Sequence, residues 1–161
     1  MKLYHGSTAL VISPEIRNAN RPLDYGSGFY TTTSYEQAEA WVKRRMKEDK
    51  VTKGYVNIYE FDPATLDRLN SLVFTSPTEE WVDFVMANRT RTGFTHDYDI
   101  VFGPVANDRV YTAFALYEGG VLDKPSLIQA LKTYRLVDQL LFHTEHSLST
   151  LTFTVYKEII E

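Results

Sequence analysis

Lys2 to His5 alternates like a short strand and is broken by Gly6. Residues 7–28 hold two prolines, three asparagine or aspartate residues and two glycines, so they read as a long irregular loop, a kind of segment that is commonly functional in a compact domain. Ser34-x-x-Gln37 is a capping box, and Ala38, Trp41, Val42 and Met46 follow at helical spacing, which predicts a helix starting at Ser34. Tyr55 to Phe61 alternates again and stops at Asp62-Pro63. Ser76-Pro77-Thr78-Glu79 reads as a second capping box with proline at the first helical position, opening a helix through about residue 87. Asp99 to Val105 is strand-like. Asn107 or Asp108 is placed to cap a helix that runs to Glu118 and stops at Gly119-Gly120. Lys124 to Tyr134 predicts a further helix. Leu136 to Thr144 and Leu151 to Ile160 predict the last strands, with a tight connection between them. The pattern is that of one mixed α+β domain spanning 1–161, without a βαβ repeat or a glycine-rich dinucleotide fingerprint, so a Rossmann fold is disfavoured.

Composition narrows the chemistry. The chain of 161 residues is 43% apolar, with 11 Tyr and 9 Phe, enough for a buried core with aromatics left over for a pocket. A net charge of −4 gives no overall basic field toward nucleic acid or a membrane. The local cluster Lys43, Arg44, Arg45 and Lys47 sits beside Glu48 and Asp49, as on a solvated helix face. There is no cysteine, which removes disulfides, thiolate nucleophiles and cysteine-held zinc. His5, His96, His143 and His146 lack metal-ligand spacing, so no metal is expected. Without an apolar leader or an apolar run of about 20 residues, a cytoplasmic location and no membrane partner are expected.

Three stretches carry candidate chemistry. Tyr4-His5-Gly6-Ser7 ends the first strand with a hydrogen-bonding ring and a glycine that permits close backbone approach. Gly26-x-Gly28-Phe29-Tyr30 sets a turn before an aromatic suited to stacking on a planar ring, and Thr31 to Ser34 follow as four consecutive hydroxyl residues. Asp138-Gln139 puts polar groups into an otherwise apolar strand, where a buried polar group needs a partner. Each stretch also has a plain structural reading: a surface histidine, a core aromatic, a helix cap.

In this order the stretches resemble the three strand motifs of the ADP-ribosyltransferase superfamily, which supply a His-Tyr-Glu set around NAD. "LYHGS" resembles the first motif in its poly(ADP-ribose) polymerase form, "GSGFYTTTSYEQA" the second and "VDQLLFHTEHSLSTLTF" the third. More narrowly, "DYGSGFYTTTSYEQAEAW", "YDIVFGPVAND" and "DQLLFHTEHSLSTLTF" resemble a bacterial family, DUF3990, within it. The resemblance implies split mixed and antiparallel sheets with flanking helices around an NAD cleft. His5, Tyr30 and Gln139 would stand on separate strands and face that cleft, beneath the 7–28 loop. A His5 on the opposite face of the sheet from Tyr30 would dismiss this reading outright.

The same resemblance implies a mono-ADP-ribosyltransferase that takes NAD as substrate and needs no metal. His5 would bind the adenosine ribose, Gly6 the nicotinamide carboxamide and Tyr30 the nicotinamide ring. Ser7, Thr31 and Ser34 would line the pocket, and Gln139 would bind the nicotinamide ribose. Gln139 stands where the family has an acid. Asp138 and Glu145 are the alternatives for that position. Arg17 or Arg21 is a candidate for the pyrophosphate, and Asn107-Asp108 for a polar contact in the cleft. The acceptor would be an unidentified protein or nucleic acid. A toxin or effector role, delivery into a target cell and a neutralising antitoxin-type protein are implied by analogy only. An NAD glycohydrolase, or a module that binds NAD or ADP-ribose without catalysis, is the alternative.

Overall fold

The computed structural model describes residues 1–17, 23–105, 108–134 and 136–161, without the Asp108 side chain. Arg21 and Asn107 therefore lie outside the described residues, as does the side chain of Asp108. The strands are β1 (Lys2–Ser7), β2 (Phe29–Thr32), β3 (Lys53–Glu60), β4 (Ser71–Val73), β5 (Ile100–Pro104), β6 (Asp138–Phe142) and β7 (Thr152–Ile160). The helices are α1 (Tyr35–Asp49), α2 (Thr65–Arg68), α3 (Glu79–Thr90), α4 (Asp108–Glu118), α5 (Lys124–Lys132) and α6 (Glu145–Leu148). The fold is α+β, on one mixed sheet in the order β4-β5-β6-β2-β1-β3-β7.

Local sequence explains most of these elements. Ser34 caps α1 by accepting a hydrogen bond from Gln37 N at 3.1 Å, and Ala38, Val42 and Met46 form its buried stripe. Trp41 falls off that stripe and is 37% exposed. The second helix starts later than the capping pattern predicts. Thr78, not Ser76, is its N-cap and accepts from Trp81 N, so Pro77 precedes the helix. The connection predicted over Glu145–Thr150 contains α6, closed by a Thr144–Ser147 capping box.

The sheet is joined at its centre by very little. β1 and β3 pair over all six residues of β1, and β3 pairs with β7 along its whole length. On the other side β2, β5 and β6 are fully laddered, and β4 adds a parallel edge. Between these halves β1 and β2 share one register pair, Tyr4 with Thr32. Past that pair the strands part.

Helices cover the halves separately on one face. α1 packs on β1 and β3 through Ala38, Val42, Met46 and Val56. α3, α4 and α5 pack on β5 and β6 around Trp81, Val85, Phe114, Leu127 and Leu141. The opposite face is a continuous core from Leu3, Phe29 and Tyr59 to Ile100, Leu140 and Phe142. A groove is left between the two helical layers, over the place where β1 and β2 part.

Candidate functional site

That groove is a cleft of about 1220 Å³, above the roughly 300–1,000 Å³ of ordinary small-molecule pockets. Its walls come from β1, β2, α1, α3, α4 and the long loop, and His5, Gly6, Ser7, Tyr30, Thr31 and Gln139 all border it. A second concavity of about 620 Å³ lies around Lys124 and Lys132. Its Lys124 is engaged by Glu79 and Asp83, so it offers little chemistry.

Strand alternation places His5 with Leu3, on the opposite pleat from Tyr4 and Gly6. Its ring lies 4.2 Å from that of Phe29 in the continuous core face, whereas Tyr30 packs with Leu141 under the helices. By pleat alone the two belong to opposite faces, the arrangement that would dismiss the ADP-ribosyltransferase reading. They nevertheless border one opening, because the parted strands expose both pleats there. The His5 ring spans the gap, with Nδ1 2.7 Å from Tyr30 O. A carbonyl only accepts, so Nδ1 carries the proton. Burial lowers the His5 pKa, with the Tyr30 bond opposing it more weakly. The ring is then neutral and Nε2 is an acceptor, suited to a ligand hydroxyl.

Tyr30 is fixed at its tip. Its hydroxyl donates to Gly26 O at 2.6 Å and accepts from Tyr25 N at 3.0 Å. Burial holds its pKa well above the ordinary value, so it stays protonated. Clamped in this way, the ring is a rigid face at the cleft.

The four hydroxyls after Tyr30 are engaged by the fold. Thr31 Oγ1 donates to Leu140 O, while Thr32 Oγ1 and Thr33 Oγ1 donate to Asp138 O. Ser34 is the helix cap and is not among the residues that border the cleft. Thr31 borders the opening but is 3% exposed with its hydroxyl already donated to β6. Gly6 also has a packing reason: a Cβ there would fall within van der Waals contact of Ala38 O and 2.7 Å from Val42 Cγ2. Ser7 Oγ accepts from Ala9 N at 3.0 Å and helps turn the chain into the loop.

Of the three alternatives for the third motif, only Gln139 lines the cleft. Glu145 is exposed at the start of α6, and Asp138 does not border the opening. Burial raises the Asp138 pKa. Gln139 is 8% exposed, and its Nε2 lies 3.5 Å from Pro104 O, at the limit of a hydrogen bond.

Several residues in or behind the wall were not singled out for the site from the sequence. Asn57 and Tyr59 on β3 tie the loop down. Asn57 Oδ1 accepts from Val11 N, its Nδ2 donates to His5 O and Ala9 O, and Tyr59 Oη donates to Val11 O. Trp41 and Arg44 of α1, Asp24 of the loop, Arg89 of α3 and Tyr111 of α4 complete the wall. Arg17 lines it too, but is highly exposed and paired with Glu15 at 3.5 Å. Among the described residues no group of three or more His, Asp or Glu is placed to hold a metal. No helix among them is long and apolar enough to cross a membrane.

A family model described as a protein of unknown function (DUF3990) matches residues 1–153. The chain belongs to the DUF3990 family. No curated protein and no solved structure matches it.

Histidines hold the turn that carries Tyr25. His96 Nε2 bonds Tyr25 O at 2.7 Å, His143 Nδ1 bonds Ser27 O at 2.6 Å, and the two rings lie 4.3 Å apart. Burial lowers the pKa of His96, as it does for His5. Folded-state values below the ordinary 6.5 mean that the unfolded chain takes up protons first as pH falls. Stability is therefore complete above about pH 6.5 and declines below it. Thermal unfolding between pH 7.5 and 5.5 should show a falling midpoint, and His96→Gln should flatten the slope. An unchanged slope in that variant would remove His96 from the account.

Proposed function

We propose that this protein binds NAD in the cleft and transfers ADP-ribose to a macromolecular acceptor. The observation that carries this reading is the meeting of three distant segments, ending in His5, Tyr30 and Gln139, at one opening made by parting strands. The mixed sheet, nearly divided at its centre, suits the split-sheet architecture of an ADP-ribosyltransferase. In this reading the bond between nicotinamide and ribose breaks, nicotinamide leaves with the bonding pair, and an acceptor nucleophile attacks the anomeric carbon. The chain's part is to hold the dinucleotide and orient the ribose. Tyr30 offers a fixed aromatic face, His5 Nε2 accepts from a ribose hydroxyl, and the Gln139 amide contacts the second ribose.

Gln139 favours a second reading. An amide orients a hydroxyl but cannot balance a developing positive charge as a carboxylate does. That difference supports single-unit transfer over chain elongation, and gives weight to a module that binds NAD without turnover. Hydrolysis, with water as acceptor, would use the same pocket.

Calorimetric titration with NAD, followed by nicotinamide release with and without a cell lysate, separates these readings. Release that rises with lysate supports transfer, lysate-independent release supports hydrolysis, and binding without release supports the module. Gln139→Ala should weaken NAD binding about fivefold to 150-fold, roughly the 1–3 kcal/mol of an unpaired buried polar partner. A folded wild-type protein that ignores NAD would end the proposal.

A further inference from the structure

Arg89 is a side chain in the cleft whose bonding is incomplete. It sits in the last turn of α3, its guanidinium 4.5 Å from the centre of the Tyr111 ring and 5.8 Å from that of Phe114. These rings, both from α4, restrict its tilt. Its Nη1 is buried without a hydrogen-bond partner, although the side chain as a whole is 29% exposed and borders the opening. Among the described residues, Asp24 Oδ1 lies 4.0 Å from Nη1, too far for a hydrogen bond. A desolvated donor left unused costs free energy in the empty protein and is recovered when an acceptor arrives.

We propose that Arg89 is the oxyanion-binding residue of this cleft, and that the oxyanion is a phosphate of the bound nucleotide. This rests on, and adds to, the NAD reading above. A guanidinium presents paired donors in a fixed plane, which matches two oxygens of one phosphate. The other two cleft arginines among the described residues are less suited. Arg17 is exposed and paired with Glu15, and Arg44 lies 5.9 Å from the Trp41 ring on an exposed helix face. Asp24 opposes an anion, but it also keeps the empty site near neutrality. Its position makes the orientation of the guanidinium, rather than net charge, the source of recognition.

The test titrates wild type, Arg89→Gln and Arg89→Lys with ADP-ribose and with nicotinamide, and adds inorganic pyrophosphate as a competitor. The expected result is a loss of at least tenfold in ADP-ribose affinity for Arg89→Gln, unchanged nicotinamide affinity, partial recovery in Arg89→Lys, and competition by pyrophosphate in the wild type. Equal ADP-ribose affinity in wild type and a folded Arg89→Gln would overturn the proposal. Should that variant not fold, wild-type ADP-ribose affinity in Arg89→Lys, or no competition by pyrophosphate in the wild type, would overturn it instead. The two proposals fail separately. Phosphate-dependent ADP-ribose binding without nicotinamide release rejects transfer and keeps Arg89. Lysate-stimulated nicotinamide release with an unaltered NAD requirement in Arg89→Gln rejects Arg89 and keeps transfer.

Discussion

Tyr25→Phe is expected to destabilise the protein by about 2–4 kcal/mol, with about 1–3 from the Trp81 donor left unpaired and about 0.5–1.5 from the bond lost by Pro104 O. The Tyr25 hydroxyl is fully buried, donates to Pro104 O at 2.8 Å and accepts from Trp81 Nε1 at 2.8 Å. Phenylalanine keeps the ring, strands Trp81 Nε1 and leaves Pro104 O, among the described residues, with only the long Gln139 contact. The effect should reach the cleft, because Tyr25 N holds the Tyr30 hydroxyl and Tyr25 O takes the His96 bond. Urea unfolding of Tyr25→Phe, Trp81→Phe and the double variant measures this. The double change should cost less than the sum of the singles, since both ends of one bond are then gone. Additive losses would mean that the Tyr25–Trp81 bond contributes nothing.

Gly6→Ala should destabilise by about 1–3 kcal/mol, the usual range for overpacking. In a strand, glycine to alanine normally gains about 0.5–1 kcal/mol. Here the added carbon meets the Ala38 carbonyl, which is backbone and cannot rotate aside, as well as the Val42 side chain. α1 must shift away from β1, and with it Trp41 and Arg44 on the cleft wall. Denaturant midpoints, together with NAD affinity, would register both effects. A variant as stable as the wild type would show that α1 does not rest on β1.

Segments whose conformation is set locally were legible in the sequence. The Ser34 cap, the Ala38–Val42–Met46 stripe and the alternation of β3 all follow from neighbours three or four residues away at most. What escaped depends on distant partners. β4 has three residues and exists because β5 offers a parallel edge. The threonine run after Tyr30 looked like a pocket wall, yet its hydroxyls meet β6 carbonyls more than a hundred residues away. Trp41 fits a helical apolar pattern by spacing, and only the placement of α1 beside the parted strands brings it to the cleft. The cleft members His5, Tyr30 and Gln139 were legible through their motifs, whereas Arg89 and Tyr111 lie in stretches without one, and Asp24 opens the second stretch without having been singled out.

The single pairing of Tyr4 with Thr32 gives the sheet a seam. A seam with one stitch is where slow breathing should concentrate, and amides along β1 and β2 past that pair should exchange with solvent sooner than those of β3 or β6. A molecule lying across the cleft touches both sides and acts as a second stitch. Its binding free energy then adds directly to the cohesion of the two halves, about 2.7 kcal/mol when the ligand is at a hundred times its Kd. Small molecules that raise the melting temperature would thereby be reported by the seam itself, so a thermal-shift screen can find ligands ahead of any assay of turnover.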